Sequence, residues 1–371
     1  MHAVAPRREK GNVMNRSRMG AGIGRRSVPV SRRAFFGASL GASLGASGAA
    51  LVLTGCSGNA TATQGSEGLT PITFVLDYTP NTNHTGIYVA IDKGYYADEG
   101  LDVTVVQPPE DGADAMVGTG QAQLGMSYQD TMANYLGSSE PLPVTAVAAV
   151  VQHNTSGIIS RQGDGITSPK GMTGKRYGTW DQDVEKAIVR TVVEQDGGDW
   201  DEVVLVPANS TDEVSGLRAD QFDAIWCYEA WAGQNAKVQD YPVDYFAFRD
   251  IDETFDYYTP VIVANDTYLA ENPETVQAFL RATAKGYEDA VKDPDGAAET
   301  LVEMNPEIDA ELAKASQEYL ADQYIADAPR WGYIDPERWA RFYSWMNEEG
   351  LTPVELDEQG GFTNDYLPSG S

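Results

Sequence analysis

After residue 69, short apolar runs typical of buried strands alternate with apolar positions at the spacing of amphipathic helices. In a first α/β unit, strands are predicted over 72–76, 103–106, 122–126 and 144–151. Helices are predicted from Ile87 to a stop at Gly94 and over 113–117 and 129–136. This strand–helix–strand order favours a mainly parallel sheet with helices on both faces.

The pattern restarts in a second unit and ends in a helical tail. Strands are predicted over 175–180, 203–206, 222–228 and 245–248, with helices over 184–194 and 214–219. A strand over 261–264 then precedes helices over 273–292, 296–303, 307–324 and 336–349. We therefore predict an α/β fold of two lobes with mixed, mainly parallel sheets and a cleft between them. Lobe 1 is assigned to 70–170 and 257–368, and lobe 2 to 171–256.

A basic and then apolar leader precedes both units. Residues 1–55 carry nine Lys or Arg and one acid, and residues 34–53 are small, apolar and uncharged, which is the layout of a secretory signal. The run Ser31-Arg32-Arg33-Ala34-Phe35-Phe36 looks like the twin-arginine export motif, and Leu53-Thr54-Gly55-Cys56 resembles a lipobox. We predict a twin-arginine lipoprotein signal peptide over 1–55, with Arg32 and Arg33 as the export signal and a lipid on Cys56.

The predicted lipid would leave the folded part outside the cytoplasm. A polar, flexible tether over 56–69 would hold it at the extracytoplasmic face of the cell membrane, with the lipid as its only membrane attachment. The alternative is that residues 34–53 stay as an uncleaved anchor, because about twenty residues can span a bilayer. Their content of Gly, Ala and Ser makes them only modestly apolar, which favours the lipoprotein.

Charge and reactive residues indicate binding rather than catalysis. The whole chain has 26 basic and 55 acidic residues; without residues 1–55 these become 17 and 54, a net charge of −37. Such a surface argues against nucleic acid or anionic lipid as partners. Cys227 is the one cysteine besides Cys56, so no intramolecular disulfide is expected. Beyond the leader only His84 and His153 are histidines, too few for a zinc cluster.

Sequence motifs of common enzymes are missing as well. Beyond the leader the chain has no Gly-x-Ser-x-Gly elbow, no Gly-x-Gly-x-x-Gly and no P-loop. We therefore expect no catalytic residue, no cofactor and no metal, and a monomer. His153 falls near the connection between the lobes, and we expect it to be structural.

Polar and aromatic clusters follow three of the predicted strands, where ligands of open α/β sheets bind. The first cluster contains Asp77, Tyr78, Asn81 and His84, at the start of the first helix. A helix N-terminus suits an anionic or acceptor-bearing ligand. The alternative for the polar residues there is helix capping.

The second cluster contains Trp180, with Glu185 five residues later, and the third contains Tyr228, Glu229 and Trp231. Flat rings on either side of Glu229 would clamp a flat ligand. Its carboxylate would accept hydrogen bonds from an exocyclic amine or, when protonated, share a ring nitrogen. Trp226, in the preceding strand, is assigned to the core.

Four segments match a known family in order and spacing, and the likeness extends over residues 71–368. They are Asp77-Tyr78-Thr79-Pro80-Asn81-Thr82-Asn83-His84-Thr85-Gly86-Ile87-Tyr88-Val89-Ala90, Lys93-Gly94-Tyr95-Tyr96, Glu99-Gly100-Leu101-Asp102-Val103 and Gln107-Pro108-Pro109-Glu110-Asp111-Gly112-Ala113. With these segments the chain resembles solute-binding proteins of the thiamine-pyrimidine group, related to sulfonate and riboflavin binders and to fungal thiamine-pyrimidine synthases. The resemblance implies a type II periplasmic-binding-protein fold whose lobes close on a ligand and dock on an ABC importer.

The resemblance also implies a ligand and a site. Family members hold an aminopyrimidine between aromatic rings, which points here to Tyr78, Asn81, His84, Trp180, Glu185, Tyr228 and Glu229. Tyr78 stands where relatives commonly have Trp. The implied function is capture of a thiamine-related aminopyrimidine for an importer permease, with riboflavin or an alkanesulfonate as alternative ligands.

An enzyme is the third alternative. The fungal synthases make the pyrimidine from their own histidine and pyridoxal phosphate, and His84 aligns with that reactive residue. They carry a cysteine-rich segment where this chain reads Phe255-Asp256-Tyr257-Tyr258-Thr259-Pro260. The predicted export would also remove the chain from cytoplasmic pyridoxal phosphate, so the resemblance favours the binding protein.

Overall fold

The structure is a computed structural model that describes residues 68–109, 112–208 and 212–369. The predicted signal peptide with Arg32 and Arg33, and the lipid site at Cys56, lie outside the described residues. The tether predicted over 56–69 is described only at residues 68 and 69. Within the described parts of the chain, no helix is both long enough and apolar enough to cross a membrane.

The first lobe is built on a five-stranded sheet in the order β2-β1-β3-β10-β4. Its strands are β1 (Thr70–Val75), β2 (Leu101–Val106), β3 (Leu124–Ser127), β4 (Val144–Ala149) and β10 (Val261–Asn265). Strand β1 pairs in parallel with β2 and β3, whereas β10 runs antiparallel to β3 and β4.

The second lobe has a five-stranded sheet in the order β7-β6-β8-β5-β9. Its strands are β5 (Ser156–Arg161), β6 (Arg176–Thr179), β7 (Val204–Pro207), β8 (Ala224–Tyr228) and β9 (Val243–Ala247). Strand β6 is parallel to β7 and β8, and β5 is antiparallel to β8 and β9. The described sheets therefore contain as many antiparallel as parallel pairings, and the predicted parallel majority is wrong. The physical reason is that β5 and β10 arrive from the opposite lobe rather than through a helical crossover.

Strand β5 also moves the boundary between the lobes. The sequence assigned residues up to 170 to the first lobe, but β5 lies in the second sheet between β8 and β9. Its sequence, Ser-Gly-Ile-Ile-Ser-Arg, has small polar residues in place of a continuous apolar run, although five of its six positions are buried. Gly157 is required there, because a Cβ atom would lie 2.1 Å from the Phe246 carbonyl oxygen.

Helices cover the sheets and bound the cleft. Those before strand β10 are α1 (Thr85–Asp92), α2 (Tyr95–Asp98), α3 (Ala113–Gly118), α4 (Gln129–Leu136), α5 (Asp183–Gln195), α6 (Glu213–Arg218), α7 (Gln234–Val238) and α8 (Phe248–Ile251). The tail forms α9 (Asp266–Glu271), α10 (Pro273–Lys292), α11 (Pro294–Met304), α12 (Ala310–Ala321) and α13 (Pro336–Glu348). Helix α10 packs closely on α1, since a Cβ atom on Gly286 would lie 2.0 Å from the Gly86 carbonyl oxygen.

Two chain crossings join the lobes, and polar contacts tie them together. The first crossing lies between β4 and β5, and the second between β9 and β10. His153 Nδ1 lies 2.7 Å from Asp256 Oδ2, and the Asn154 amide donates to Asp256 Oδ1 at 2.9 Å. The hydrogen bond with Asp256 raises the pKa of His153. These contacts place His153 at the junction of the lobes, where a structural role was expected.

Candidate functional site

A cavity of about 470 Å³ lies between the lobes, at the carboxyl ends of strands from both sheets. Tyr78 follows β1, Tyr128 follows β3, Trp180 follows β6 and Tyr228 ends β8. The full lining consists of Tyr78, Thr79, Asn81, Thr82, Asn83, Tyr128, Thr155, Trp180, Ala208, Glu213, Tyr228, Ala230, Trp231 and Thr259. Of the nine ligand-binding residues predicted from the sequence, this lining brings together Tyr78, Asn81, Trp180, Tyr228 and Trp231.

Five aromatic side chains line the cavity. The rings of Tyr128 and Tyr228, one from each lobe, lie 6.4 Å apart with planes at 18°. Tyr78 and Trp180 also line the cavity but remain 55% and 43% exposed, so both rings are accessible to a ligand. Trp226 lies behind Trp180 and packs on Phe248 with ring centroids 4.3 Å apart, which places it in the core as predicted.

The start of α1 is held by a buried histidine. Asn81 caps the short 3₁₀ turn Thr82–His84 by accepting a hydrogen bond from the Asn83 amide at 2.9 Å. The backbone N–H of Asn81 donates to His84 Nδ1 at 3.1 Å, so Nδ1 is an acceptor and the ring proton is on Nε2. His84 Nε2 lies 2.6 Å from Asp77 Oδ1, and the His84 side chain is fully buried.

Asp77 supports the cavity from behind. Its second carboxylate oxygen accepts a hydrogen bond from the hydroxyl of Tyr128, whose ring does line the cavity. Burial alone raises the pKa of Asp77, but the adjacent His84 and the hydrogen bonds from His84 and Tyr128 bring it below its ordinary value. Asp77 and His84 thus lie outside the lining, and their contacts position Asn81 and Tyr128 within it.

Glu185 lies outside the cavity lining and is enclosed by the protein. It is the third residue of α5 and only 3% exposed. Its carboxylate accepts hydrogen bonds from the Tyr177 hydroxyl at 2.7 Å, the Thr179 hydroxyl at 3.1 Å and the Trp180 backbone amide at 3.1 Å. Because these contacts fix the loop that carries Trp180, Glu185 acts on the site through Trp180.

Glu229 is also directed away from the cavity lining. It begins a π-helical turn, Glu229–Gly233, that follows β8. Its carboxylate lies 3.1 Å from Lys237 Nζ and accepts a hydrogen bond from the Gln234 amide at 3.3 Å. Tyr228 and Trp231 on either side of it do line the cavity, whereas Glu229 is held by these two residues of α7.

Glu213 is the acidic residue that the sequence reasoning missed. It is the first residue of α6, it is partly buried, and it lines the cavity. No other described residue donates a hydrogen bond to its carboxylate or forms an ion pair with it. Burial, together with the nearby Asp212 carboxylate, raises its pKa to about 7. Its position after a predicted strand, at the start of a predicted helix, was the signal that would have found it.

The charged groups of the cavity lining are few and of one sign. Its described lining contains one carboxylate, Glu213, and no Lys, Arg or His. The described residues also contain no group of three or more His, Cys, Asp or Glu side chains placed to hold a metal ion. Apolar rings and one carboxylate therefore favour a flat ligand that donates hydrogen bonds or carries positive charge.

Comparison with known proteins assigns the chain that forms this cavity to a family. The family profile described as NMT1/THI5 like matches residues 81–297. The chain belongs to the NMT1/THI5-like family. This membership confirms the resemblance seen in the sequence.

Several relatives of this NMT1/THI5-like chain have names that state a function. The formylaminopyrimidine-binding protein of Halalkalibacterium halodurans is 32% identical over 81% of this chain and 91% of its own length. The riboflavin-binding protein RibY of Chloroflexus aurantiacus is 25% identical over 82% and 88% of the two chains. The 4-amino-5-hydroxymethyl-2-methylpyrimidine phosphate synthase of Aspergillus parasiticus is 24% identical over 80% and 87%.

Solved structures show the same fold. The alkanesulfonate-binding protein SsuA from Xanthomonas axonopodis pv. citri, bound to MOPS, matches with a TM-score of 0.61. The match covers 79% of this chain and 98% of that chain at 11% identity. The predicted two-lobed periplasmic-binding-protein fold of this NMT1/THI5-like protein is thereby confirmed.

Proposed function

We propose that this chain is the solute-binding component of an ABC importer and captures a thiamine-related aminopyrimidine between its lobes. The observation that supports this most strongly is the cavity itself, whose described lining contains five aromatic rings and one charged group, the Glu213 carboxylate. An aminopyrimidine offers flat faces to the rings and N–H donors to the carboxylate. The formylaminopyrimidine-binding relative, at 32% identity, supports the same ligand class.

The charge of the lining disfavours an alkanesulfonate. A buried sulfonate needs a cation or several N–H donors, because removing its charge from water is costly. The described lining offers it no Lys, Arg or His, only neutral amide and hydroxyl groups, and places the Glu213 carboxylate in the same space. Riboflavin has a flat, uncharged ring system, so the charge of the lining does not distinguish it from an aminopyrimidine. The titration described below makes that distinction.

The surroundings of His84 favour a binding protein over a synthase. In the synthase mechanism the reactive histidine has to meet pyridoxal phosphate, yet the His84 side chain is fully buried and both of its nitrogens have partners. The described lining contains no lysine to hold pyridoxal phosphate covalently and no Arg or Lys for its phosphate. These residues do not fit that cofactor, so we include no catalytic role in the proposal.

Titration calorimetry of the purified protein tests the ligand. We expect formylaminopyrimidine or hydroxymethylpyrimidine to bind with a Kd of about 1 μM or tighter, as is required for capture from dilute solution. Riboflavin and MOPS, measured under the same conditions, should bind at least about tenfold more weakly. Binding of riboflavin or MOPS without binding of either pyrimidine would overturn the ligand assignment.

Mass spectrometry tests the enzyme alternative directly. After incubation with pyridoxal phosphate and iron, we expect the mass of the peptide that contains His84 to be unchanged. A loss of mass at His84, accompanied by a released pyrimidine, would establish the synthase instead.

We also propose that the protein is exported through Arg32 and Arg33 and is held at the membrane by a lipid on Cys56. The support is the order of basic residues, apolar segment and lipobox-like cysteine in the leader. Radiolabelled palmitate should enter the wild-type protein, and Cys56→Ser should abolish the label. Replacement of both arginines by lysine should leave unlabelled precursor in the cytoplasm. Labelling that survives Cys56→Ser would refute the lipid site.

A further inference from the structure

Three carboxylates next to lining residues of the cavity are engaged by the protein. Asp77 contacts His84 and Tyr128. Glu185 accepts hydrogen bonds from hydroxyl and amide donors of the β6 end, and Glu229 from Lys237 and Gln234. Glu213 lines the cavity, and no described side chain or amide of another residue hydrogen-bonds to its carboxylate.

An unpaired carboxylate in a partly buried position is costly unless something binds it. Transfer of a charged group out of water is unfavourable without a hydrogen-bonding or charged partner. Since the described lining has no basic side chain, that partner has to come with the ligand. The rest of the lining is neutral, so Glu213 is the group there that distinguishes ligands by charge.

We propose that Glu213 selects the ligand by pairing with an amidine edge, meaning a ring nitrogen beside an exocyclic amino group, through one shared proton. One carboxyl oxygen accepts a hydrogen bond from the amino group. The other oxygen and the ring nitrogen hold a single proton between them, as O–H···N or as O⁻···H–N⁺, and no other bond changes. This inference rests on the proposed function, because it names the residue that recognises the aminopyrimidine.

The surroundings of Glu213 keep that proton available near neutral pH. Its pKa is raised to about 7, chiefly by burial. The Asp212 carboxylate precedes it and acts in the same direction, although Asp212 also caps α6 and accepts a hydrogen bond from Asn235. Of the strands packed against α6, β8 contributes the thiol of Cys227, whose pKa is raised well above its ordinary value and which therefore stays neutral.

The other titratable groups near Glu213 do not compete for the proton. Burial raises the pKa of the Tyr228 hydroxyl, which also lines the cavity, so it stays neutral at pH 7. Arg161 of β5 reaches the opposite end of α6, where it donates to the Leu217 carbonyl at 2.8 Å and pairs with Asp164 and Asp223.

A shared proton makes affinity depend on pH in a defined way. Above the pKa of Glu213 the free protein holds a carboxylate and the free pyrimidine is neutral, so the complex has to take up one proton from solvent. Affinity should then fall towards about tenfold per pH unit above about pH 7. Below that pH one of the two partners already carries the proton, and the affinity should level off.

Two substitutions of Glu213 distinguish the proposed pairing with the amidine edge from a general disturbance of the cavity. Glu213→Ala removes both hydrogen bonds, and we expect formylaminopyrimidine to bind about 30-fold more weakly or worse. Glu213→Gln presents one acceptor and one donor to the neutral pyrimidine, so its loss should be smaller and its affinity should not fall between about pH 7 and about pH 9. Glu194→Gln, an exposed carboxylate of α5 outside the lining, is the matched control and should behave as wild type.

Calorimetry in two buffers of different ionisation enthalpy measures the proton itself. At about pH 8.5 the wild-type protein and Glu194→Gln should take up close to one proton for each pyrimidine bound, and Glu213→Gln close to none. Thermal unfolding of each variant establishes that it is folded before titration.

The outcomes separate the two proposals. If wild-type protein binds no aminopyrimidine, the proposed function fails and this inference with it. If wild-type protein binds the aminopyrimidine but folded Glu213→Ala and Glu213→Gln match it in affinity and proton uptake, the function stands and Glu213 is not the selecting residue.

Discussion

Two glutamates begin consecutive helices of the second lobe, and the protein uses them in opposite ways. Glu185 lies in the first turn of α5 after strand β6, and Glu213 lies in the first turn of α6 after the parallel strand β7. Glu185 is 3% exposed and is surrounded by donors from its own loop. Glu213 faces the cavity, and no described donor of another residue reaches it.

The residues opposite each other in the strand register explain the difference. Thr179 at the end of β6 donates its hydroxyl to Glu185, whereas its register partner Pro207 at the end of β7 has no side-chain donor. Tyr177, a further donor to Glu185, is paired with Leu205. Glu185, whose carboxylate is fully hydrogen-bonded within the protein, fixes a loop. Glu213, which lies at the equivalent place in the fold without such donors, has a carboxylate available to a ligand.

The largest effect that separates the two glutamates should be on stability. Glu185→Ala leaves the buried Tyr177 hydroxyl and the Trp180 amide without their acceptor, so we expect a loss of about 3 kcal/mol in the free energy of unfolding. Glu213→Ala removes a desolvated carboxylate that no described donor of another residue reaches, so at pH 7 it should raise this free energy rather than lower it. Urea denaturation of both variants at pH 7 measures the difference, and equal losses would contradict the comparison.

The contrast between Glu185 and Glu213 also shows which parts of the site could be predicted from the sequence. The aromatic residues at strand ends, Tyr78, Trp180 and Tyr228, were predictable because parallel strands bring their carboxyl ends to one edge. Which carboxylates line the cavity was not predictable from the sequence, because this depends on the hydrogen-bond donors that surround each carboxylate in the fold. The sequence predicts Glu185 as a ligand residue, whereas the structure places it outside the lining, in contact with Tyr177 and Thr179, and no spacing along the chain reveals these contacts.

The lobe boundary was misplaced for a related reason. Strand β5 is central and buried, yet its serines and Gly157 interrupt the apolar run that marks a buried strand. The antiparallel direction of β5 and β10 depends on pairing across the chain, which local pattern does not encode. The two-lobed α/β fold itself was predictable, because strand and helix periods alternate along most of the chain.

A second prediction concerns the pH dependence of stability. The pKa of Glu213 is about 7 in the folded protein and near its ordinary value of 4.5 when unfolded. The folded state therefore holds the proton more tightly, and its contribution is fully present below about pH 4.5 and is lost as the pH rises through about 7. We expect the unliganded wild type to lose about 3 kcal/mol relative to Glu213→Gln over this window.

The prediction is stated as the difference in free energy of unfolding between wild type and Glu213→Gln, because other buried carboxyls also lower the stability of both proteins as the pH rises. Burial raises the pKa of Asp114 and of Asp130 to about 6, and these carboxyls are present in both proteins. Urea denaturation at several pH values between about 4.5 and 8 gives the two curves. Parallel curves would mean that Glu213 has an ordinary pKa and is not desolvated.

A third prediction tests the aromatic wall that Glu185 supports. Trp180→Ala should weaken binding of formylaminopyrimidine by at least about tenfold, or about 1.4 kcal/mol, because the ligand loses a stacking face. Trp180→Phe keeps a flat ring in the same place and should recover most of the affinity. If Phe is as damaging as Ala while both variants are folded, the ring does not stack on the ligand.

The smallest effect is expected at Glu229, which alignment with the family points to as a ligand residue. Its carboxylate is held by Lys237 at 3.1 Å and by Gln234 at 3.3 Å, away from the cavity. Glu229→Gln should therefore change the Kd for formylaminopyrimidine by less than about twofold, well below the factor for a lost charged hydrogen bond. A tenfold loss in calorimetry would mean that Glu229 leaves Lys237 and turns into the cavity when the ligand binds. The ligand would then be read by two carboxylates, and the division between engaged and available glutamates would hold only for the unliganded protein.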